Sequence, residues 1–283
     1  MNSIYMRYPK GLAKCLTLSY DDGVDQDRRL IELMKKHGIA GTFNISAGKF
    51  APEDRVYEAG RVHRPMTEKA CIDAYSGSEL IEVATHGFEH PFLDRLPTPE
   101  AVWQVISDRR GLEKTFGKII RGHAYPFGTY NDEVVKILES CGIVYARTTK
   151  ATLKFDMPEN WLILHPTCHH KHPELMALAD KFLGLNVAAA PQMFYLWGHT
   201  FEFESDDNWD VIEKFFDKMA GREDIWYATN IQVYEYTKAY ESLIYSANCD
   251  TVYNPTQTDV WVSKNRKPDS ILIPAGQTVK LNG

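Results

Sequence analysis

Two short segments of the chain carry side chains that together could bind a metal ion and move a proton. Asp21 and Asp22 follow one apolar run, and His86 and His90 follow another. One carboxylate and two imidazoles can supply three ligands to zinc or a similar divalent ion and leave a coordination position open for water. The second carboxylate is then available as a base, so the pattern indicates a metal-dependent hydrolase.

These residues belong to a chain in which short apolar runs alternate with helical patterns. Strands are predicted at 15–19, 41–45, 81–85, 119–125, 144–148, 193–198 and 225–228. Helices are predicted at 27–37, 99–116, 131–141, 173–183, 208–220 and 230–246. Such alternation predicts an α/β fold with a parallel sheet, and about seven strand–helix units would close it as a barrel or near-barrel.

A barrel of this type places its chemistry at the carboxyl ends of the strands. Several chemically useful side chains lie at or just beyond predicted strand ends: Asp21, Asp22, His86, His90, Tyr125 and His199. Because separate motifs fall on the same face of the predicted fold, we expect them to form one site.

Two regions depart from the alternation. Segment 47–78 is a mixed insertion, predicted as a loop with a short helix near 67–74. The tail, 249–283, alternates apolar and turn residues, which predicts a small β appendage packed on the barrel. The predicted organisation is therefore a catalytic barrel over 1–248 and a β-rich tail over 249–283.

Composition narrows the class of protein. A net charge of −6 argues against a nucleic-acid or anionic-membrane partner. Five cysteines without CxxC spacing predict free thiols in a reducing compartment. We find no apolar leader and no stretch of transmembrane length, so a cytoplasmic protein without membrane attachment is expected. The oligomeric state stays open.

Four segments resemble the motifs of a known family, in the family's order. Segment 16–23, Leu-Thr-Leu-Ser-Tyr-Asp-Asp-Gly, resembles the first motif of the polysaccharide deacetylases of the NodB-homology type, carbohydrate esterase family 4. Segment 86–91, His-Gly-Phe-Glu-His-Pro, resembles the second, with glycine in place of a hydroxyl residue. Segments 124–128 and 195–199 resemble the third and the last motifs. The resemblance implies a distorted NodB-like (β/α) barrel.

The resemblance also implies a role for each matching residue. One divalent ion, zinc in first place with cobalt, nickel and manganese as alternatives, would be bound by Asp22, His86 and His90. Asp21 would be the general base that takes a proton from the attacking water, and His199 the general acid that protonates the leaving amine. A backbone N–H near Tyr125 would stabilise the oxyanion.

The third motif lacks a residue that the family usually has. An arginine normally stands two residues before the motif's proline, where it orients the base, but Ala124 occupies that position here. Arg121 and Arg147, both near predicted strand ends, are the candidates to replace it. Solvation of both arginines is an equally open alternative.

The carboxylate partner of His199 is not identified by the motifs. The family's fourth motif, Asp-Trp, is matched at best by Asn160 and Trp161. Asp206 and Asp207 are candidates by proximity along the chain only.

Other residues are predicted to surround the substrate: Tyr125, Pro126 and Trp161. Aromatic rings in loops are suited to stacking on a sugar. The spacing of the histidines in segment 165–170 fits no zinc pattern. We predict that this segment is a loop over the cleft.

The leading function is removal of an acetyl group, N-acetyl before O-acetyl, from an acetylated saccharide. A related amidohydrolase acting on a cyclic imide or ureide is a second possibility, which a closed pocket under segment 47–78 would favour. A catalytically silent carbohydrate-binding protein is the third. Retention of the acid, base and ligand residues counts against this third reading.

Overall fold

A computed structural model describes residues 3–267 and 269–281 of the chain. The strands are β1 Ile4–Arg7, β2 Lys14–Asp21, β3 Gly41–Ile45, β4 Ile81–Thr85, β5 Gly122–Ala124, β6 Tyr145–Arg147, β7 Cys168–His169, β8 Gln192–Gly198, β9 Ile225–Tyr227, β10 Ile244–Tyr245, β11 Thr251–Tyr253, β12 Val260–Lys264, β13 Ser270–Ile273 and β14 Thr278–Lys280. The helices are α1 Asp27–His37, α2 Glu68–Tyr75, α3 Thr98–Phe116, α4 Asp132–Ser140, α5 Leu175–Leu183, α6 Phe201–Ser205, α7 Asp210–Met219 and α8 Asn230–Glu241.

Eight of the described strands form one parallel sheet. Its order is β6-β5-β4-β3-β2-β8-β7, and β9 pairs with the start of β2. Every residue of β2 is buried, as expected for a central parallel strand that is covered on both faces. Segment 164–169 closes the sheet, because Leu164 pairs with Arg147 on β6 and His169 pairs with Trp197 on β8. The predicted α/β fold, a distorted NodB-like barrel, is confirmed.

All the strands and helices predicted from periodicity are present, and most of them have changed ends. Helix α1 has the predicted bounds and ends at Gly38, whose φ of +64° is in the left-handed region that favours glycine. Helix α8 begins with a capping box between Thr229 and Gln232, but it ends at Glu241 and not at 246. Four short elements, β1, β7, α6 and β10, were not predicted, and β10 lies where the end of the last helix was expected. Among the helices in the described ranges, none is both long and apolar enough to cross a membrane.

The strands of the tail join β1 and β10 in two antiparallel three-stranded sheets, in the orders β1-β12-β13 and β10-β11-β14. The amino-terminal strand β1 therefore pairs with a strand of the tail. Helix α8 joins the tail to the barrel: the Tyr236 hydroxyl donates to the Arg7 carbonyl at 2.7 Å and accepts from the Trp261 N–H at 2.9 Å. Buried valine, isoleucine and leucine side chains fill the space between these sheets and α8.

Candidate metal centre and active site

The predicted site residues meet at one rim of the barrel. Asp21 ends β2, His86 directly follows β4, and His199 directly follows β8. Strand β2 lies between β3 and β8, and β4 is the next strand beyond β3. Because parallel strands end at the same edge, the three side chains converge although they are far apart in the sequence.

Asp22, His86 and His90 form a group with the spacing of metal ligands, which we call the rim group. The Asp22 Oδ1 atom lies 3.8 Å from His86 Nε2 and 3.9 Å from His90 Nε2. The two Nε2 atoms are 3.1 Å apart. Zinc bonds of about 2.0–2.1 Å in a tetrahedral site place neighbouring ligand atoms about 3.3 Å apart. The donor set and its spacing therefore fit a zinc-type ion.

The orientation of His86 is fixed by two hydrogen bonds. Its Nδ1 lies 2.8 Å from the Ala124 carbonyl, which assigns the proton to Nδ1 and leaves the lone pair on Nε2, the atom that faces the group. Its backbone N–H donates to Asp108 Oδ2 at 2.8 Å. Burial raises the pKa of Asp108 to about 7, against the opposing effect of the backbone N–H groups that it accepts from. Burial and the neighbouring His86 lower the pKa of His90 to about 4, so this ligand is neutral at pH 7.

The backbone around this group adopts rare conformations. Asp22, His90 and Phe127 are not glycines, yet they have φ values of +85°, +58° and +59°. Each such residue costs of order 1 kcal/mol and persists where the surrounding structure fixes it. Gly87, where the family has a hydroxyl residue, has φ +75°, and a Cβ there would lie 3.3 Å from Pro126 Cγ. A side chain at position 87 would therefore be both strained and crowded.

Asp21 is buried beside the rim group and is held by two side chains. The Arg147 guanidinium donates to Oδ2, and Asn44 Nδ2 donates to Oδ1 at 2.8 Å. Burial favours the protonated carboxyl, but the charges of Arg147, His86 and His199 outweigh burial and lower the pKa of Asp21. Asp21 is therefore ionised at neutral pH.

Of the two candidates for the missing arginine, the structure places Arg147 at Asp21. Arg147 is fully buried on β6, where its guanidinium carbon lies 4.4 Å from the centroid of the Trp197 ring. Arg121 pairs with Glu235 at the protein surface instead. The guanidinium thus reaches the carboxylate from β6, which β5, β4 and β3 separate from β2 in the sheet order, and the third motif contributes the Ala124 carbonyl that contacts His86.

His199 is a further neighbour of the Asp21 carboxylate. Its Nε2 is 3.8 Å from Asp21 Oδ2, and its Nδ1 is 3.2 Å from Glu202 Oε2. Burial opposes a positive charge on the ring, but the hydrogen bond to Glu202 and the charges of Asp21 and Asp22 raise the pKa of His199. An ionised carboxylate and a readily protonated imidazole therefore face each other across the site.

The partner of His199 is Glu202, and the candidates Asp206 and Asp207 were wrong. Glu202 is in the first turn of α6, three residues after His199. Asp206 lies near the end of the same turn and pairs with Lys171 at 2.7 Å. The helical turn directs position 202 back toward 199, but the short helix α6 was not predicted and both predicted candidates were aspartates.

Two of the predicted substrate-binding rings are buried in packing. Tyr125 is 1% exposed and donates its hydroxyl to the Leu162 carbonyl at 2.7 Å. Trp161 packs edge-on against Tyr234 with ring centroids 5.3 Å apart. These two predictions were wrong, because both rings pack in the interior of the protein. Pro126 is also buried, but it lies against Gly87 next to the rim group.

The exposed ring at this position is Phe127, which sequence reasoning passed over. Its side chain is 52% exposed, and its ring centroid lies 4.5 Å from that of His90. It also stacks on Phe92 at 3.8 Å with an interplanar angle of 9°. The left-handed backbone at Phe127 turns this ring outward, a feature that the sequence does not show.

Part of the insertion 47–78 lies over the rim group. His63 Nε2 is 3.3 Å from Asp22 Oδ2, and the His63 ring packs edge-on against Phe201 of α6 at 5.0 Å. Arg64 makes two hydrogen bonds to Glu204 of the same helix, at 2.7 and 2.8 Å. The insertion is thus fastened to α6 beside the site. No motif pointed to His63.

The prediction of a loop over the cleft for segment 165–170 was wrong. Its end forms β7, which pairs with β8 and helps to close the barrel. His165 lies beside Thr148, with Nδ1 2.5 Å from the hydroxyl oxygen. His170 is only 1% exposed.

A barrel rim that combines a carboxylate–dihistidine group with an ionised acid and an imidazole of raised pKa has the side chains to bind a metal ion and to transfer protons. Residues 9–146 match the sequence model of the family described as polysaccharide deacetylase. The match confirms, over residues 9–146, the predicted resemblance to the polysaccharide deacetylases, and it supports the expected class of enzyme, a deacetylase-type hydrolase.

Solved structures with the same fold include a Mycobacterium smegmatis protein provisionally described as a polysaccharide deacetylase. It is 15% identical with a TM-score of 0.57, over 84% of this chain and 95% of that one. The Streptococcus pyogenes deacetylase PplD, solved with acetate, is 20% identical with a TM-score of 0.40, over 47% of this chain and 55% of that one. A variant of a Bacillus anthracis family 4 pseudoenzyme with restored activity is 20% identical with a TM-score of 0.48, over 81% and 69%. No curated protein sequence gives a significant match.

Proposed function

We propose that this protein removes acetyl groups, N-acetyl before O-acetyl, from an acetylated saccharide and needs one divalent ion to do so. The observation that carries the proposal is that the side chains of Asp21 and His199 lie next to each other beside the rim group. Their facing atoms are 3.8 Å apart. An amide carbon held there would have a base and an acid within reach at the same time.

Asp22, His86 and His90 would hold the ion. Two imidazole nitrogens and one carboxylate oxygen favour zinc, and they also suit cobalt, nickel and manganese. When bound, the ion lowers the pKa of water and polarises the carbonyl of the acetyl group.

Asp21 serves as the general base. Arg147 and Asn44 hold its carboxylate in one orientation. The charges of Arg147, His86 and His199 keep the carboxylate ionised, so it is ready to accept a proton from the attacking water at neutral pH. Arg147 is itself fully buried, which excludes the water that would otherwise compete for the carboxylate.

His199 serves as the general acid. Its Nδ1–H donates a hydrogen bond to Glu202. This bond fixes the orientation of the ring and presents the protonated Nε2 to the leaving amine. A backbone donor for the oxyanion follows from the third motif. The Tyr125 N–H is already donated to the Arg147 carbonyl at 3.0 Å and Pro126 has none, so the next donor along the chain is the N–H of Phe127.

The proposal is tested by measuring acetate release from N-acetylated chito-oligosaccharides, with an O-acetylated saccharide in parallel. Activity should disappear after chelator treatment and return with zinc. Acetate release should also be lost in Asp21→Asn although the protein stays folded. A zinc-loaded enzyme that releases no acetate from any N- or O-acetylated saccharide would contradict the proposal.

Hydrolysis of a cyclic imide or ureide is a second candidate, and one observation favours it. His63 lies over Asp22 and is fastened beside α6, which suits a small substrate better than a long polymer. We would compare kcat/KM for a cyclic imide with that for the oligosaccharides. A higher value for the imide would select this candidate, and no turnover of the imide would remove it.

A further inference from the structure

A second group of convergent side chains lies behind His199, away from the rim group. We call it the inner group, and its members are His169, His170 and Glu202. His169 Nε2 is 3.1 Å and His170 Nε2 is 3.3 Å from Glu202 Oε2. These separations equal the distance of about 3.3 Å between neighbouring ligands of tetrahedral zinc.

His170 provides an independent reason to expect a ligand here. Its side chain is 1% exposed, and within the described residues neither ring nitrogen makes a well-directed hydrogen bond, although Nε2 lies 3.3 Å from Glu202 Oε2. A buried polar group without a partner is costly. The ring is held between Phe203, with centroids 4.1 Å apart, and Tyr20, with centroids 5.8 Å apart. It cannot turn away to find another partner.

Only one of the two His170 nitrogens is free to bind a ligand. The Nδ1 atom is pressed against β8, since a Cβ on Gly198 would come within 2.0 Å of it. The Nε2 atom faces Glu202 and His169. Burial and the neighbouring His169 lower the pKa of His170 to about 2, so the ring is neutral.

The two carboxylate oxygens of Glu202 have different partners, and Oε2 also accepts from the His199 backbone N–H at 3.3 Å. Lys171 Nζ binds Oε1 at 3.2 Å and Asp206 Oδ2 at 2.7 Å, so the ammonium is balanced by two carboxylates. Oε2 faces the histidines instead. We propose that His169, His170 and Glu202 bind a second divalent ion of the zinc type, separate from the ion of the rim group.

The second ion would have a positioning role. Glu202 Oε2 also lies 3.2 Å from His199 Nδ1. An ion bound to this carboxylate would fix the group that orients the proposed general acid. The inner group would thus act on catalysis through His199 and not by touching the substrate.

The test is the number of zinc ions per chain after the apoprotein is reconstituted with a small excess of zinc and desalted. We expect two ions in the wild type, one in His169→Gln and one in His86→Ala. Glu202→Gln, which keeps the size of the side chain, should also hold one. His172→Gln is the matched control from the same segment and should keep two.

The outcomes separate this proposal from the proposed function. Wild-type protein that holds one ion, lost in His86→Ala and kept in His169→Gln, would overturn the inner site and leave the rim group standing. One ion with the reverse pattern would support the inner site and contradict the rim group. Two ions retained in both His169→Gln and Glu202→Gln would overturn the inner site even if acetate release is confirmed.

Discussion

Two groups of histidines and carboxylates lie on opposite sides of His199, and they are assembled in different ways. Asp22 and His86 of the rim group come directly after strands of the parallel sheet, and His90 lies in the loop that His86 begins. The inner group combines β7, the residue after it, and a short helix about 30 residues further along the chain. The rim group borders the exposed ring of Phe127, whereas the inner group is closed in by buried aromatic rings.

This difference shows what each group can do. The rim group lies beside an ionised carboxylate and an exposed ring, so it can meet a substrate. His199 lies between the inner group and the rim side, because its two ring nitrogens face Asp21 and Glu202. One group is suited to chemistry, and the other is suited to holding the acid in place.

The largest effect on activity is expected for Asp21→Asn. Removal of a general base lowers kcat by about 10²–10⁴-fold, while zinc content at the rim group should not change. The variant leaves Arg147 without its carboxylate, so it should be assayed well below its unfolding temperature. Asp25→Asn, a nearby carboxylate that is half exposed, should keep wild-type activity. Full activity of Asp21→Asn would remove Asp21 from the role of base.

Arg147→Met tests the buried ion pair that holds Asp21 beside the rim group. Removing one partner of a buried ion pair costs about 3–5 kcal/mol in the free energy of unfolding, which urea denaturation would measure. Arg121→Met is the control, because its pair with Glu235 is at the surface and should contribute no more than about 1 kcal/mol. Equal losses in the two variants would contradict the assignment of Arg147 to the base.

Glu202→Gln tests whether the carboxylate of the inner group orients His199. We expect kcat to fall by about 10- to 100-fold with KM nearly unchanged, because the variant acts through the orientation of His199. Zinc at the rim group should stay. Asp206→Asn changes the neighbouring carboxylate that pairs with Lys171 and should leave kcat unchanged. A change in KM alone would mean that Glu202 contacts the substrate.

The smallest effect is expected for Tyr125→Phe. The variant loses the buried hydrogen bond to the Leu162 carbonyl, which costs about 1 kcal/mol of stability, and kcat/KM should not change. Phe127→Ala should do the opposite, raising KM with little effect on stability, since this ring is half exposed beside His90. A higher KM for Tyr125→Phe would restore that ring to the substrate site.

The sequence predicts the sheet and the rim group well because both depend on local patterns. The apolar runs that become β2, β3 and β4 are continuous, and ligand candidates follow two of them directly. Parallel strand ends meet at one edge, so convergence could be inferred without coordinates.

The features that the sequence does not show depend on tertiary contacts. Arg147 reaches Asp21 from another strand, and the side-chain direction on a three-residue strand reverses with a one-residue shift. Glu202 was missed because α6 has only five residues and no clear periodicity. His63 reaches Asp22 from an insertion without a motif. Tyr125 and Trp161 have the right residue type, but their burial is decided by the packing of neighbouring segments.

The most direct test of the rim group is a crystal structure of the zinc-loaded protein with diffraction data collected on both sides of the zinc absorption edge. We predict an anomalous peak at about 2.0–2.1 Å from the Nε2 atoms of both His86 and His90, in contact with the Asp22 carboxylate. The His86→Ala protein prepared in the same way should lack this peak. Zinc-loaded crystals without density between these three side chains would contradict a metal centre at the barrel rim.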